Sequence, residues 1–183
     1  MQTLSPTLVL STDRPAISQV ELDAGYSFGM CLDMAKVLLQ LQRYGKPCQL
    51  PEFKDMSPAC WSVVRAHYQS EDAGGNRPLV KACGMKVTSG LPLTGFGAQF
   101  LQLAYSVVDR VGTSVIGLVG YDGSHELLWH RDDENEMWFF FDPFSGLWQF
   151  ESLVGVAPCL AAELEARYES LGQLYRLSTL ELK

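Results

Sequence analysis

Three residues of this chain, a histidine, an aspartate and a cysteine, are placed so that together they could transfer an acyl group. The segment Gly123-Ser124-His125-Glu126-Leu127-Leu128-Trp129 is followed, after an acidic turn, by Trp138-Phe139-Phe140-Phe141-Asp142-Pro143. Read as antiparallel strands Leu127 to Arg131 and Glu136 to Asp142, joined at Asp132-Asp133-Glu134-Asn135, symmetric pairing sets Arg131 opposite Glu136 and His125 opposite Asp142. Directly opposed residues share a sheet face with Cβ atoms about 5 Å apart. At that range a carboxylate fixes an imidazole tautomer and stabilises its protonated form. An imidazole held this way is suited to serve a nucleophile.

The nucleophile candidate lies far upstream, in Gly25-Tyr26-Ser27-Phe28-Gly29-Met30-Cys31-Leu32-Asp33-Met34. Ser27 is a plausible N-cap, and Met30, Met34, Val37, Leu38 and Leu41 recur at helical spacing up to Gly45, with Pro47 beyond it. This places Cys31 in the first turn, where unsatisfied N–H groups and the macrodipole favour a thiolate. Gly25, Ser27 and Gly29 allow backbone and substrate to approach closely. Cys60 and Cys159, each just behind a helix-starting Pro, read as small buried hydrophobes. His130 differs in parity from His125 and points to the other side of the same strand. His67, on a helix beginning near Ser57-Pro58, reads as a surface or half-buried residue.

A Cys at the start of a long helix, then a Gly-Ser-His entering a strand, then an Asp in an aromatic-Asp-Pro turn followed by a Gly resembles the papain-like cysteine peptidases of the YopT and AvrPphB type, which are bacterial effectors. The resemblance covers roughly Gly25 to Ser152, with no motif to align in the middle stretch. It implies Cys31 as nucleophile, His125 as general base and acid, and Asp142 as the orienting carboxylate. Such enzymes place a Gln or Asn oxyanion donor a few residues before the Cys. The closest such residue here is Gln19, twelve positions upstream, which reaches the site only if Val20 to Tyr26 loops out; the Cys31 backbone N–H with another donor is the alternative.

The resemblance also implies a peptide bond in a host or target-cell protein as substrate, with no metal or organic cofactor. It implies export by a specialised, non-Sec route, a secretion chaperone as partner, and activity in a reducing host cytosol; the bacterial cytoplasm is the alternative location. Two other functions stay open. The same triad serves a glutamine deamidase or transglutaminase, and an inactive papain-like binding module would pack Cys31 inertly.

The elements that must position these residues follow from pattern. At 183 residues, 47% hydrophobic and 19% charged, the chain suits one core, so we expect a leader over 1–24 and a single catalytic domain over 25–183. Five cysteines, an odd number without CxxC spacing, argue against a disulfide framework or a structural zinc site. A net charge of −7 without a Lys/Arg patch argues against nucleic acid as a partner. No apolar run is long enough to span a bilayer, and the N-terminus lacks the regions of a Sec signal.

A short strand at Thr7 to Leu10 precedes the Cys31 helix, and a second helix runs from Ser57-Pro58 to about Gln69. Ser70 to Pro78 and Ser89 to Gly97 read as loops around a strand within Leu79 to Thr88. A helix near Ala98 to Val111 leads into an antiparallel meander: Ser114 to Val119, His125 to Arg131, Glu136 to Asp142 and Leu147 to Glu151. Pro158 starts a helix to about Leu171, and Tyr175 to Leu182 returns as a strand. Helices first and antiparallel sheet second predict an α+β fold; the resemblance implies that it is papain-like, with the nucleophile helix packed on the sheet.

Overall fold

The computed structural model describes residues 6–10, 26–44, 57–68, 76–95, 99–121 and 123–183. Its elements, in chain order, are β1 (Thr7–Leu10), α1 (Tyr26–Tyr44), α2 (Pro58–Tyr68), α3 (Arg77–Ala82), β2 (Met85–Gly95), α4 (Phe100–Val108), β3 (Gly112–Gly120), β4 (Gly123–Asp132), β5 (Met137–Asp142), β6 (Gly146–Phe150), α5 (Val156–Tyr168) and β7 (Leu174–Leu182). The seven strands form one antiparallel sheet in the order β1-β6-β5-β4-β3-β7-β2. The expected α+β class holds, with helices on both faces of the sheet.

Strand alternation sorts the core into two layers. Leu128, Phe139 and Phe141 face α1, packing with Met30, Met34, Ala35 and Leu38. Leu127, Trp129 and Phe140 face α4 and α5, against Leu103, Val107, Leu160 and Leu164. The central strands are apolar on both faces because both are covered. α1 follows the same logic: twelve of its residues, on more than one stripe, are buried between the sheet and α2.

Several expectations need correction. Arg77 and Pro78, expected at the end of a loop, start a one-and-a-half-turn helix, α3, so the strand expected within Leu79 to Thr88 begins only at Met85, after Gly84 with φ 80°. Pro favours a first helical turn as readily as a loop end. The strand then runs through Gly95, so the stretch expected as a loop from Ser89 is a strand on β7 with two register shifts. Its Gly and Pro residues are tolerated because β2 is an edge strand. β1 lies within the expected leader and forms the opposite edge on β6.

The β4–β5 hairpin also differs in register. Asp132 pairs with Met137 and Leu128 with Phe141, so the turn is Asp133 to Glu136, one residue later than expected, and all cross-strand partners shift by two. The Asp132 carboxylate explains the shift. It accepts hydrogen bonds from the N–H groups of Glu134 and Asn135 and from Asn135 Nδ2, closing the turn around itself, and Glu136 takes a φ of 52°.

Candidate active site

A two-residue shift preserves parity, so His125 and Asp142 still share a sheet face, now diagonally rather than directly opposed. His125 Nε2 lies 3.2 Å from Asp142 Oδ1. Both side chains are buried. The imidazole is stacked against Phe144 at 4.6 Å and 12° and against Tyr168 at 4.8 Å and 25°. Ring planes this close to parallel hold the imidazole edge toward Asp142.

Asp142 is itself fully engaged. Oδ1 accepts the Phe144 N–H at 2.9 Å; Oδ2 accepts the Ser145 hydroxyl at 2.9 Å and the Tyr168 hydroxyl at 2.8 Å, with Arg167 Nη1 at 3.9 Å. Burial pushes this carboxyl up, but the His125 hydrogen bond and charge, the Phe144 N–H and the Tyr168 hydroxyl outweigh it and hold it below the usual carboxylate range. Burial and the Asp142 charge push the Tyr168 phenol far above its ordinary value, so it stays protonated and donates to Asp142. With Nε2 on Asp142, Nδ1 is the nitrogen left for proton exchange.

Cys31 comes from the opposite layer. Its Sγ donates to the Glu126 carbonyl oxygen at 3.3 Å, the backbone unit next to His125. The sheet does not wall the two off from each other. β4 pairs with β5 only from Leu128 onward, so its first half, where His125 and Glu126 lie, has β3 on one side and no β5 partner on the other.

The expected state of the thiol is corrected. Cys31 is the sixth residue of the described helix, beyond the first turn, and Ser27 is the second rather than the cap. Its N–H therefore sits within the helical ladder rather than among the free donors. Burial, then the charges of Glu126 and Asp142, push the thiol well above its ordinary range. Gln19 lies outside the described residues.

The other candidates separate cleanly. His130 faces the α1 layer, fully buried, with Nδ1 2.8 Å from Thr113 Oγ1, and burial lowers its pKa to about 4. His67 is half-buried on α2. Cys60 donates to the Gly29 carbonyl at 3.5 Å, and Cys159 lies on α5 facing a small cavity behind Asp142. Among the described residues no group of three or more His, Cys, Asp or Glu is arranged to hold a metal ion, and no described helix is long and apolar enough to cross a membrane.

The residue that sequence reasoning missed is Glu126. It shares parity with Leu128 and His130, both buried, so a carboxylate at that position of a core strand was a legible signal. Phe144 becomes visible only once the register is known. Nothing in the sequence marks Tyr168.

The order and packing of these elements match those of a solved structure, the Pseudomonas avirulence protein AvrPphB, with a TM-score of 0.56 over 87% of this chain and 95% of that one, at 15% identity. The fold is papain-like. A cysteine protease-like domain of the Photorhabdus asymbiotica toxin PaTox is also similar, with a TM-score of 0.40 at 12% identity over 97% of this chain and 53% of that one. No protein-family model matches the sequence, and no curated protein matches it. In this papain-like sheet the candidate residues stand on three elements, α1, β4 and the end of β5, at the half of β4 that has no β5 partner.

Proposed function

We propose that this chain is a cysteine protease that cleaves a protein of a host or target cell, with Cys31 as nucleophile, His125 as general base and acid, and Asp142 as the orienting carboxylate. One observation carries this reading: an imidazole clamped between two rings, with Nε2 on a buried carboxylate, is adjacent in the chain to the carbonyl that holds a buried thiol. A merely structural histidine needs neither a multiply bonded carboxylate nor a thiol one residue away.

As Cys31 Sγ attacks the peptide carbonyl, its proton passes to His125 Nδ1 and Asp142 stabilises the imidazolium through Nε2–H. The imidazolium then gives that proton to the leaving amine as the C–N bond breaks. Water, deprotonated by the neutral imidazole, hydrolyses the thioester and returns the thiol. Because the Cys31 N–H belongs to the helix, the oxyanion needs a donor from elsewhere, and Gln19 is the candidate. No step needs a metal or organic cofactor. The free thiols of Cys31, Cys60, Cys83 and Cys159 suit a reducing cytosol. Delivery there by a specialised secretion route, with a secretion chaperone, is part of the same proposal.

The test is to add the purified chain to a target-cell lysate and sequence new N-termini. A defined set that is absent with Cys31→Ala and with His125→Ala is expected. Mass gains of about one unit at Gln side chains, without new N-termini, would replace the protease by a deamidase acting through the same thioester chemistry.

A further inference from the structure

Ser27 and Cys31 are four residues apart on α1 and so lie on one helical face. Both are bound by Glu126. The Ser27 hydroxyl donates to Glu126 Oε2 at 2.5 Å and accepts the Glu126 N–H at 3.3 Å, while Cys31 Sγ donates to the Glu126 carbonyl at 3.3 Å. The carboxylate is buried, with a side-chain exposure of 7%. Its second oxygen, Oε1, lies 3.6 Å from Arg176 Nη2. Arg176 gets there across Gly117, which pairs with Glu126 on β4 and with Arg176 on β7. A Cβ at Gly117 would sit 3.1 Å from Arg176 Nε, so the glycine leaves room for the guanidinium stem over the strand.

We propose that Glu126 is a positioning residue, whose side chain and backbone together fasten the nucleophile helix to the strand that carries His125. This rests on Cys31 being the nucleophile, for otherwise the fastening has nothing to position. A buried carboxylate is costly unless hydrogen-bonded and charge-compensated, and a purely structural contact between α1 and β4 could have been apolar, as it is at Leu128. Here the polar contact falls at the one place where the helix must keep register with His125.

The same carboxylate acts on the thiol. The charged and titratable groups that act on Cys31 are Glu126 on β4, Asp142 on β5 and Tyr168 on α5, with His125 next to Glu126 in the chain and Arg176 on β7 beside the Glu126 carboxylate. Glu126 and Asp142 both oppose a thiolate. Burial first, and then the Glu126 and Asp142 charges, keep the sulfur a thiol while the Glu126 carbonyl holds it in place, so deprotonation is left to the moment of attack.

The experiment measures iodoacetamide alkylation of Cys31 against pH by mass spectrometry in the full chain, its Glu126→Gln and Glu126→Ala forms, and Ser27→Ala. Gln keeps an acceptor for Ser27 and removes the charge. Its alkylation midpoint is expected to fall below that of the parent, with a similar rate at high pH. Glu126→Ala and Ser27→Ala release the helix end and are expected to raise that high-pH rate, by about tenfold for Glu126→Ala. Profiles indistinguishable from the parent in all three overturn the proposal, and Ser27→Ala together with Glu126→Gln decides it if Glu126→Ala fails to fold. A midpoint shift in Glu126→Gln combined with lysate cleavage that survives Cys31→Ala would instead reject the protease reading while leaving the contact in place.

Discussion

The Cys31 thiol is fastened to the Glu126 carbonyl at 3.3 Å, one peptide unit from His125, so helix and strand are registered through the backbone rather than through the imidazole. The sulfur is held as a buried thiol. It has no pre-formed charge to attract electrophiles.

It follows that Cys83 should be alkylated before Cys31. Cys83 is half-buried at the end of α3, and its hydrogen bond with Cys60 lowers its pKa despite partial burial. Thiolate fraction and access both favour it, and at pH 7 an excess in rate of at least about tenfold is expected. Labelling of individual cysteines by iodoacetamide, followed by peptide mass spectrometry, checks the order. Cys31 labelling first would mean a thiolate already formed.

Asp142→Asn should lower both activity and stability. The carboxylate accepts from His125, Phe144, Ser145 and Tyr168 in a buried site, and losing its charge there costs about 2–3 kcal/mol at neutral pH. Because its folded pKa is depressed, this stabilisation is present above the unfolded value and is lost as pH falls through the folded one. Denaturant melts of parent and variant should differ at pH 7 and converge below about pH 4. A gap that persists unchanged into acid contradicts the assignment.

Tyr168→Phe separates stacking from hydrogen bonding. The ring stays against His125 while the 2.8 Å bond to Asp142 is lost. We expect a stability loss of about 1 kcal/mol and a kcat reduced about tenfold or less, with Tyr168→Ala worse on both. Equal effects of the two substitutions would show that the ring does not orient the imidazole.

His130 makes the protein acid-sensitive independently of the site. It is fully buried with Nε2 unpartnered, and burial, partly offset by Asp132, lowers its pKa to about 4. The fold therefore keeps its full stability above the ordinary histidine pKa and loses up to about 3 kcal/mol as pH falls from about 6.5 to 4. In His130→Gln that slope should flatten over the same window, measured by urea titration at each pH. An unaltered slope assigns the acid sensitivity to other groups.

Much of this was already readable in the chain. Local chemistry determines the long α1, the Ser57-Pro58 helix start, and the meander with its Asp-containing turns, because caps, prolines and period-two apolar runs act within a few residues of themselves. It also puts His125 and Asp142 on one face: parity survives a two-residue slip, whereas a one-residue slip would have reversed it. The short α3 is not legible locally, because Pro78 is compatible with both a loop end and a first helical turn.

Tertiary structure decided what depends on groups distant in sequence. The true partner opposite a residue followed from how Asp132 closes its turn. The state of the Cys31 thiol followed from burial and from carboxylates on other elements, which overrode the helix-end expectation. The ring sandwich from Phe144 and Tyr168 and the grip of Glu126 on Ser27 and Cys31 exist only because β4 outruns β5 and leaves one edge where the two faces of the sheet meet. Periodicity in sequence tells which face a side chain takes. It carries no information about which residue from another element arrives there, since that is set by packing of the whole core.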